Sequence, residues 1–195
     1  PIVLEVPGVG QNLRDHPNVR VPIEVQDDFP LNPEEPRSQV ALRYTAAGSD
    51  LRNDMQILAS SFSLPISGDP LEADGIRFTC ILELAYGSGN LKITSTDPNV
   101  QPELNYNYFQ DDPRDLSRMR EGVRKCVQVL EHDEYKSIVK QLIEPQAADL
   151  ESDDALDLWI KGCVTTTQHI SGTCKMGPDS DSMAVVDQRG MVKGL

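Results

Sequence analysis

The spacing of the apolar residues changes midway along the chain, and this change limits the possible folds more than any other feature of the sequence. The first half contains short apolar or alternating runs separated by turn-forming and polar residues, a pattern typical of β-strands. Because strands joined by short turns run in opposite directions, the pattern predicts a mostly antiparallel sheet. We expect strands in the runs 19–25, 40–45, 55–62, 76–86 and 91–95.

Glycine and proline mark the turns and loops between these runs. The sequence YGSGN (86–90) predicts a hairpin that joins the runs 76–86 and 91–95 directly, because its spacing and glycine content suit a tight turn. The proline-rich, acidic residues 26–38 and the polar residues 67–75 are expected to be surface loops.

The second half of the chain has the three- and four-residue apolar spacing of amphipathic helices. Asp112 and Pro113 predict the start of a first helix. Its apolar stripe consists of Leu116, Met119, Val123, Val127 and Leu130. A second, shorter helical stripe that ends before Pro145 consists of Tyr135, Ile138, Val139 and Leu142.

Ser152 predicts the start of a third helix, with Asp153 and Asp154 at its positive end. The apolar face of this helix consists of Leu156, Trp159, Ile160 and Cys163. Strands first and helices later predict an α+β fold, in which helices cover one side of a mostly antiparallel sheet.

The chain is strongly acidic, with 31 Asp and Glu against 18 Lys and Arg and a formal net charge of −13. Such a surface repels phosphate backbones and anionic lipid headgroups, so we expect no nucleic-acid partner. No apolar run reaches the roughly 18 residues of a membrane-spanning helix, so we expect no membrane span. Since the first residues contain neither an initiator Met nor a signal peptide, we expect a cytoplasmic piece of a longer protein.

The four cysteines, Cys80, Cys126, Cys163 and Cys174, are widely spaced and form no CxxC pair. Three of them lie in apolar strand-like or helical runs, where cysteine behaves as a small hydrophobic residue. None of the three histidines lies within ligand spacing of a cysteine. The sequence therefore predicts core thiols rather than a disulfide framework or a metal site.

His169 is the candidate catalytic residue. It lies between the polar segments 165–168 and 171–173, whose hydroxyls and glycine permit a ligand to approach the backbone closely. Histidine is also the side chain best suited to proton transfer near neutral pH. The residues alone favour a histidine that is hydrogen-bonded within a polar loop, and the catalytic interpretation stays open beside it.

The other two histidines carry weaker signals. His16 follows Asp15, and such a pair resembles half of a base and its orienting acid. Adjacent side chains on an extended chain point to opposite faces, however. We therefore favour a turn in which Asp15 caps local amides and Pro17 stiffens the exit. His132 follows the first predicted helix, where we expect a cation at the helix C-terminus and no role in a site.

The glycine-containing loops do not match a nucleotide-binding motif. GxGxxG needs a third glycine at its sixth position, where GVGQNL has Leu13 and the loop that begins at Gly87 has Lys92. The sequence also lacks GxxxxGK[ST]. A nucleotide cofactor must then be held mainly by residues outside this chain.

Three stretches of the sequence carry a family resemblance. They are VPGVGQNLRDHP (6–17), residues 87–124, and QHISGTCKMGP (168–178) followed by VVDQRGMVKGL. In this order they resemble the glucose–methanol–choline (GMC) family of flavin oxidoreductases, nearest to its choline-dehydrogenase-like members. The first is similar to the family's hinge between its two domains. The second is similar to its hairpin, Asp-Pro…Pro…Asn-Tyr stretch and helix start, and the third to its catalytic-histidine segment.

The resemblance implies an FAD-dependent oxidation of the CH–OH group of an alcohol by hydride transfer to flavin. It implies that His169, three residues before Gly172, meets the substrate hydroxyl at the flavin face, since hydride leaves readily only as the alcohol becomes alkoxide-like. FAD would be held mainly by sequence that this chain lacks, and no residue of the chain is assigned to it. The residue that completes the family's catalytic pair is also missing. The family includes hydroxynitrile lyases, which this sequence does not separate from alcohol oxidisers.

The resemblance also implies a division of the chain. Residues 1–12 would be the hinge at the edge of a missing Rossmann-like FAD domain, 13–162 the substrate-binding domain, and 163–195 the catalytic-histidine segment returning toward the FAD domain. Expected partners are a small-molecule alcohol and that FAD domain, without which we expect the chain to be inactive. The alternatives are a non-catalytic binding module on the same fold and an unrelated α+β domain, which a His169 buried in apolar packing would favour.

In the family the sheet of this domain covers the cavity above the flavin. Side chains of the strands around 40–45, 55–62 and 76–84 would therefore shape the substrate cavity. Periodicity does not say which face of the sheet is inward, and Tyr44, Met55 and Ile57 are the candidates.

Overall fold

The strands and helices of the chain are given by a computed structural model, which describes residues 3–30, 32, 34–61 and 76–195. The strands are β1 (Pro17–Val25), β2 (Ala41–Tyr44), β3 (Met55–Ser60), β4 (Ile76–Leu82), β5 (Asn90–Lys92), β6 (Glu103–Asn105), β7 (Val139–Leu142) and β8 (Thr165–Thr166). The helices are α1 (Pro113–Leu130), α2 (Ala147–Leu150) and α3 (Asp153–Cys163), with a 3-10 turn at Asp133–Tyr135.

The larger sheet has the order β2-β3-β4-β1-β7, and its strand β1 pairs with three other strands. One edge of β1 pairs with β4. Its other edge is shared, since β8 pairs with the first residues of β1 and β7 with the last. All of these pairings are antiparallel, which confirms the predicted kind of sheet.

Alternation along the strands separates an apolar face from a more polar one. In β1, Val19, Val21 and Ile23 are buried against the helices, whereas the residues between them point to the opposite face. The register places Cys80 and Phe78 of β4 beside Val19 and Val21, on the same face. Helix α1 packs against this face, and α3 packs against α1 and β1. The expected arrangement, with helices on one side of the sheet, is therefore confirmed for these elements.

Helices α1 and α3 begin where the sequence predicts. The Asp112 side chain accepts a hydrogen bond from the Arg114 N–H, with Pro113 at the first helical position. The Ser152 hydroxyl accepts one from the Ala155 N–H at 3.1 Å. In each helix a local side chain thus accepts from one of the N-terminal N–H groups that have no partner inside the helix. The predicted stripe of α1 differs in one respect, because Cys126 is buried where Val127 was expected.

The predicted second helix over residues 135–142 is wrong. The chain forms only a short 3-10 turn and then strand β7, which pairs with the end of β1. The short apolar run is compatible with either structure, and the free edge of β1 decides between them. His132, which was expected at the C-terminus of the first helix, caps this 3-10 turn, because its Nδ1 accepts a hydrogen bond from the Glu134 N–H at 3.3 Å.

The predicted hairpin between 76–86 and 91–95 is wrong as well. Strand β4 already pairs with β3 on one edge and with β1 on the other, so it has no edge left for the following strand. Strand β5 instead pairs with β6 in a separate two-stranded sheet. Gly89, in the expected turn, pairs with Leu13.

The remaining expectations concern cysteines and loops. Cys80 and Cys126 are buried and Cys163 is partly buried, as expected of core thiols, but Cys174 is exposed. The described part of the loop 26–38 is mostly exposed, as predicted. The predicted loop 67–75 and the last residue of the run 55–62 lie outside the described residues.

A buried ion cluster links α1 to the sheet. The guanidinium of Arg118 lies 2.7 Å from a carboxylate oxygen of Asp54 and also contacts Asp115, and all three residues are buried. Burial raises the pKa of Asp54, but hydrogen bonds from Ser49 and Arg118 outweigh it and hold the pKa below its ordinary value. Asp54 is therefore a charged partner of Arg118 in the interior.

We expect Arg118→Met to lower the free energy of unfolding by about 3–5 kcal/mol, because it leaves two buried carboxylates without their cation. Arg124→Met is the control on the same helix. It removes an exposed pair with Asp153 and should cost no more than about 1 kcal/mol. The measurement is urea unfolding followed by the fluorescence of Trp159, the single tryptophan. Equal losses in the two variants would contradict a special role for the buried cluster.

We also expect Gly122→Ala to destabilise the chain by about 1–3 kcal/mol, because it overpacks a full core. An added Cβ at Gly122 would lie 2.3 Å from the Cys80 sulfur and 2.9 Å from the Met55 side chain. The matched control is Gly162→Ala in α3, where no atom lies within 4 Å. There the better helix propensity of alanine should add about 0.5–1 kcal/mol in the same urea experiment. A stabilising Gly122→Ala would show that α1 can move away from the sheet.

Candidate functional site

The three stretches that carry the family resemblance meet at one place in the fold. Leu13 and Gly89 exchange two backbone hydrogen bonds of 2.9 and 2.8 Å, which tie the N-terminal loop to the segment after β4. Arg14 and Ser171 exchange two more of 2.8 Å, which tie the same loop to the histidine segment. The N-terminal loop therefore lies between the other two stretches and holds both by its backbone.

The side chain of Arg14 reinforces this junction. Its Nη1 donates to the three backbone carbonyls of residues 85–87 at 2.9–3.2 Å. Its Nε donates to Asn12 Oδ1 at 3.0 Å, and Asn12 Nδ2 donates to the Gly172 carbonyl at 3.3 Å. One guanidinium therefore gathers the turn after β4 and, through Asn12, the loop that carries His169.

Gly172 is required by this packing. Its φ of +88° is in the left-handed region that favours glycine, and an added Cβ would lie 2.4 Å from the Asn12 carbonyl oxygen. Close backbone approach therefore explains the glycine that the sequence places three residues after the histidine.

His169 is an exposed residue whose backbone is held by a buried carboxylate. Its N–H donates to Asp15 Oδ1 at 2.9 Å. The other oxygen of Asp15 accepts a short hydrogen bond from the Tyr108 hydroxyl. Burial, together with the hydrogen bond to Asp15, raises the pKa of Tyr108 well above its ordinary value, so the hydroxyl keeps its proton and continues to donate. The backbone at His169 is thus fixed while its side chain lies at the surface.

A second imidazole lies beside the first. The rings of His16 and His169 are 5.3 Å apart between centroids and meet edge to face at 89°. His16 Nε2 in turn lies 3.5 Å from a carboxylate oxygen of Glu83. The antiparallel register of β1 and β4 pairs Asn18 with Ile81, and its continuation places His16 opposite Glu83. The structure therefore brings two histidines and two carboxylates together.

The sequence predicted only one of these residues as part of a site. Asp15 was expected to cap local amides. It instead accepts a hydrogen bond from the N–H of His169, 154 positions away. It does not orient the ring of His16 either, because the neighbour of that ring is Glu83. The dipeptide Asp15-His16 was the one available signal. Nothing local in the sequence marks Glu83, whereas Tyr108 lies in the Asn-Tyr stretch of the second resemblance segment, which was not assigned to a site.

The three residues predicted to line a substrate cavity lie in the core instead. Met55 and Ile57 are buried on the face of the sheet that packs against α1, and Tyr44 packs against the same cluster. Since side chains alternate, the face away from α1 carries Gln56 and Leu58 instead. The prediction that Tyr44, Met55 and Ile57 shape a cavity is therefore wrong, and a cavity at this sheet must be lined by the opposite face.

The described residues do not form a cradle for a nucleotide pyrophosphate. The N–H groups of Gly10, Gly87 and Gly89 already donate to Thr173, Asp115 and Leu13 respectively. The helix N-termini are acidic, with Asp112 and Asp115 at α1 and Asp153 and Asp154 at α3, and they repel phosphate. A flavin nucleotide does not fit these loops and helix ends.

Two further properties concern metals and membranes. In the part of the chain that the structure describes, no group of three or more His, Cys, Asp or Glu could hold a metal ion. Among the helices of the same residues, none combines the length and the apolar character needed to cross a bilayer.

Comparison with known proteins identifies the family. The sequence profile described as GMC oxidoreductase matches residues 85–195, which include the whole of the second resemblance stretch and the histidine segment. The chain belongs to the GMC oxidoreductase family. Membership excludes the unrelated α+β domain, and the exposed position of His169 agrees with that result.

The chain is similar to curated relatives over its whole length. It is 28% identical to an oxygen-dependent choline dehydrogenase of Chromohalobacter salexigens, covering 100% of this chain and 39% of the relative. It is 29% identical to an oxygen-dependent choline dehydrogenase of Burkholderia multivorans, covering 100% of this chain and 38% of that protein. The GMC chain described here thus spans about two fifths of the length of these relatives.

Solved structures share the fold. Pyridoxine 4-oxidase from Mesorbium loti matches 99% of this chain and 38% of its own, with a TM-score of 0.84 and 20% identity. A formate oxidase of Aspergillus oryzae matches 94% of this chain and 40% of its own, with a TM-score of 0.73 and 19% identity. At these identities the likeness concerns the fold of the GMC chain and not its substrate.

We expect Asp15→Ala to loosen the site, because it leaves the Tyr108 hydroxyl and the His169 N–H without their acceptor. The free energy of unfolding should fall by about 1–3 kcal/mol, the cost of unpaired buried polar groups. Amides of residues 168–173 should exchange with deuterium faster, measured by mass spectrometry.

The control for this experiment is Asp97→Ala, which removes a carboxylate that accepts from the Asn99 N–H in an exposed turn. It should leave exchange at 168–173 unchanged. If Asp15→Ala also leaves that exchange unchanged, the carboxylate does not hold the histidine loop.

Proposed function

We propose that this chain is the substrate-binding part of an FAD-dependent alcohol oxidoreductase and that His169 is its catalytic residue. The observation that carries the proposal is the geometry of His169. Its backbone is fixed by the buried Asp15, its side chain is exposed, and a second imidazole lies against it. A histidine that only satisfied a polar loop would have its side chain, rather than its backbone, in the hydrogen-bond network.

The proposed role of His169 is to receive the hydroxyl proton of the alcohol. Oxidation of a CH–OH group removes a proton from oxygen and a hydride from carbon, and the hydride leaves readily only as the oxygen becomes alkoxide-like. A neutral imidazole at the surface has a nitrogen lone pair that can accept this proton. FAD, when bound, supplies the acceptor for the hydride, and we infer that residues outside this chain hold it.

The alcohol is proposed to bind along the face of the sheet that points away from α1. His16 shares this face with Asn18 of β1, since the two are separated by one residue. Beside Asn18 the register places Ile81 of β4 and then Gln56 of β3. This combination of apolar and amide groups next to the two imidazoles suits a small alcohol. The choline dehydrogenases among the relatives support this substrate class.

The FAD domain of the same protein is the proposed partner. The N-terminal segment 3–10 packs against the C-terminal segment 176–195, so closely that a Cβ on Gly8 would lie 2.1 Å from the Met183 carbonyl oxygen. Large apolar side chains on these segments are exposed, namely Val3, Leu4, Val9, Met176, Met183, Met191, Val192 and Leu195. We infer that the FAD domain covers them. The division into 1–12, 13–162 and 163–195 fits this placement of the partner.

The test is anaerobic flavin bleaching at about 450 nm in the full-length protein, with a panel of primary alcohols. Replacing His169 by alanine should slow bleaching by a factor of about 100 or more, the usual contribution of an acid–base group. His132→Ala is the matched control, since it changes a histidine of the 3-10 turn and should leave the rate unchanged.

Two outcomes would contradict the proposal. A full-length protein without flavin would favour a non-catalytic binding module. A yellow protein in which the His169→Ala variant bleaches as fast as the parent would remove the proton-accepting role of this residue.

A further inference from the structure

We propose that His16, itself oriented by Glu83, is a positioning residue that holds the imidazole of His169 in the orientation needed to receive the substrate proton. The inference rests on the proposed function of His169. It adds a series of three side chains in which Glu83 orients His16 and His16 orients His169.

The backbones of the two histidines are fixed relative to one another. The Thr167 N–H and hydroxyl both donate to the His16 carbonyl oxygen, at 3.2 and 3.0 Å. The His169 N–H donates to the side chain of Asp15, the residue before His16. These three bonds leave little freedom between the two backbones. The relative placement of the rings then depends only on their side-chain torsions.

The side-chain torsions of an exposed histidine are poorly fixed. A side chain at the surface samples several staggered rotamers, and choosing one of them costs conformational entropy. The edge-to-face contact with His16 favours the rotamers of His169 that place the ring against it, because the positive edge of one ring meets the negative face of the other. Preorganisation of this kind raises the rate when the reacting groups must meet in one geometry.

Glu83 gives the His16 ring its own orientation. Glu83 lies one position beyond β4, the strand that pairs with β1, and its side chain is 17% exposed. Its oxygen is 3.5 Å from His16 Nε2, so this nitrogen faces Glu83. Asp15 is the other nearby carboxylate, but it is engaged with the His169 N–H and the Tyr108 hydroxyl. Of the two carboxylates, only Glu83 faces the His16 ring.

A double-mutant cycle tests whether His16 acts through His169. Flavin reduction by an alcohol is measured by stopped flow in the full-length flavoprotein, for the parent, His16→Ala, His169→Ala and the double variant. We expect His16→Ala to lower the limiting rate by about tenfold, less than the roughly hundredfold loss that a misplacement of about 1 Å can cause, with little change in half-saturation. In the His169→Ala background the same substitution should have no further effect, since coupled residues are not additive.

Conservative variants separate positioning from a purely structural role. His16→Phe keeps a ring that can meet His169 edge to face but lacks the nitrogen that Glu83 orients, so it should recover only part of the rate lost in His16→Ala. Glu83→Gln keeps an acceptor for His16 Nε2 and should resemble the parent, whereas Glu83→Ala should lose rate in the same manner as His16→Ala. Far-UV circular dichroism and flavin content verify that each variant is folded. If His16→Ala does not fold, the Glu83→Ala and Glu83→Gln pair is carried through the same cycle.

The outcomes distinguish the two hypotheses. An undiminished rate in His16→Ala, or an equal loss from His16→Ala in both backgrounds, would overturn the positioning role while leaving His169 as the catalytic residue. An undiminished rate in Glu83→Ala would overturn the part assigned to Glu83. A full rate in His169→Ala would instead remove the proposed function itself.

Discussion

The ion cluster of Arg118 with Asp54 and Asp115 is the interaction on which the rest of the structure depends. A cation placed inside the protein is stable only when its partners are close and well aligned, so the cluster fixes α1 against the sheet in one position. Asp115 also accepts the N–H groups of residues 86–87 with its two oxygens. The turn that follows β4 therefore takes its shape from the helix, although it lies outside both the helix and the sheet.

From that turn the same polar network continues to the segment that carries His169. The carbonyls of residues 85–87 receive Arg14, whose backbone pairs with Ser171 two residues after His169. Each of these contacts joins the backbone of one segment to a charged or backbone group of the next. The position of His169 therefore depends little on most of the other side chains in these segments. A continuous set of hydrogen bonds thus links the interior of the domain to His169. The apolar core stabilises the fold, but this polar network determines where the histidine lies.

The parts of the structure that the sequence predicts are those that local residues decide. Helices α1 and α3 were predicted with their first residues, because Asp112 and Ser152 each satisfy backbone groups two or three positions away. Strand β7 was predicted as a helix, and a hairpin was predicted where none forms. Both depend on which edges of β1 and β4 are available for pairing, and no local sequence pattern indicates those edges. The site follows the same rule. His169 was predicted from a motif, whereas its partners come from pairings across the whole fold, and the sheet face was assigned wrongly because alternation does not tell inward from outward.

The pairing of Asp15 with His169 has a consequence for the order in which the molecule assembles. The two residues are 154 positions apart, and so the loop between them must close before their contacts give any stability. The contacts of Arg14 and Asp15 with the histidine segment are therefore among the least local in the fold. Strand β8 is similarly distant in sequence from its partner β1, with which it pairs along the edge that β1 shares with β7. The position of His169 thus depends on contacts between residues that are far apart in the sequence, and we expect these contacts to form late in folding.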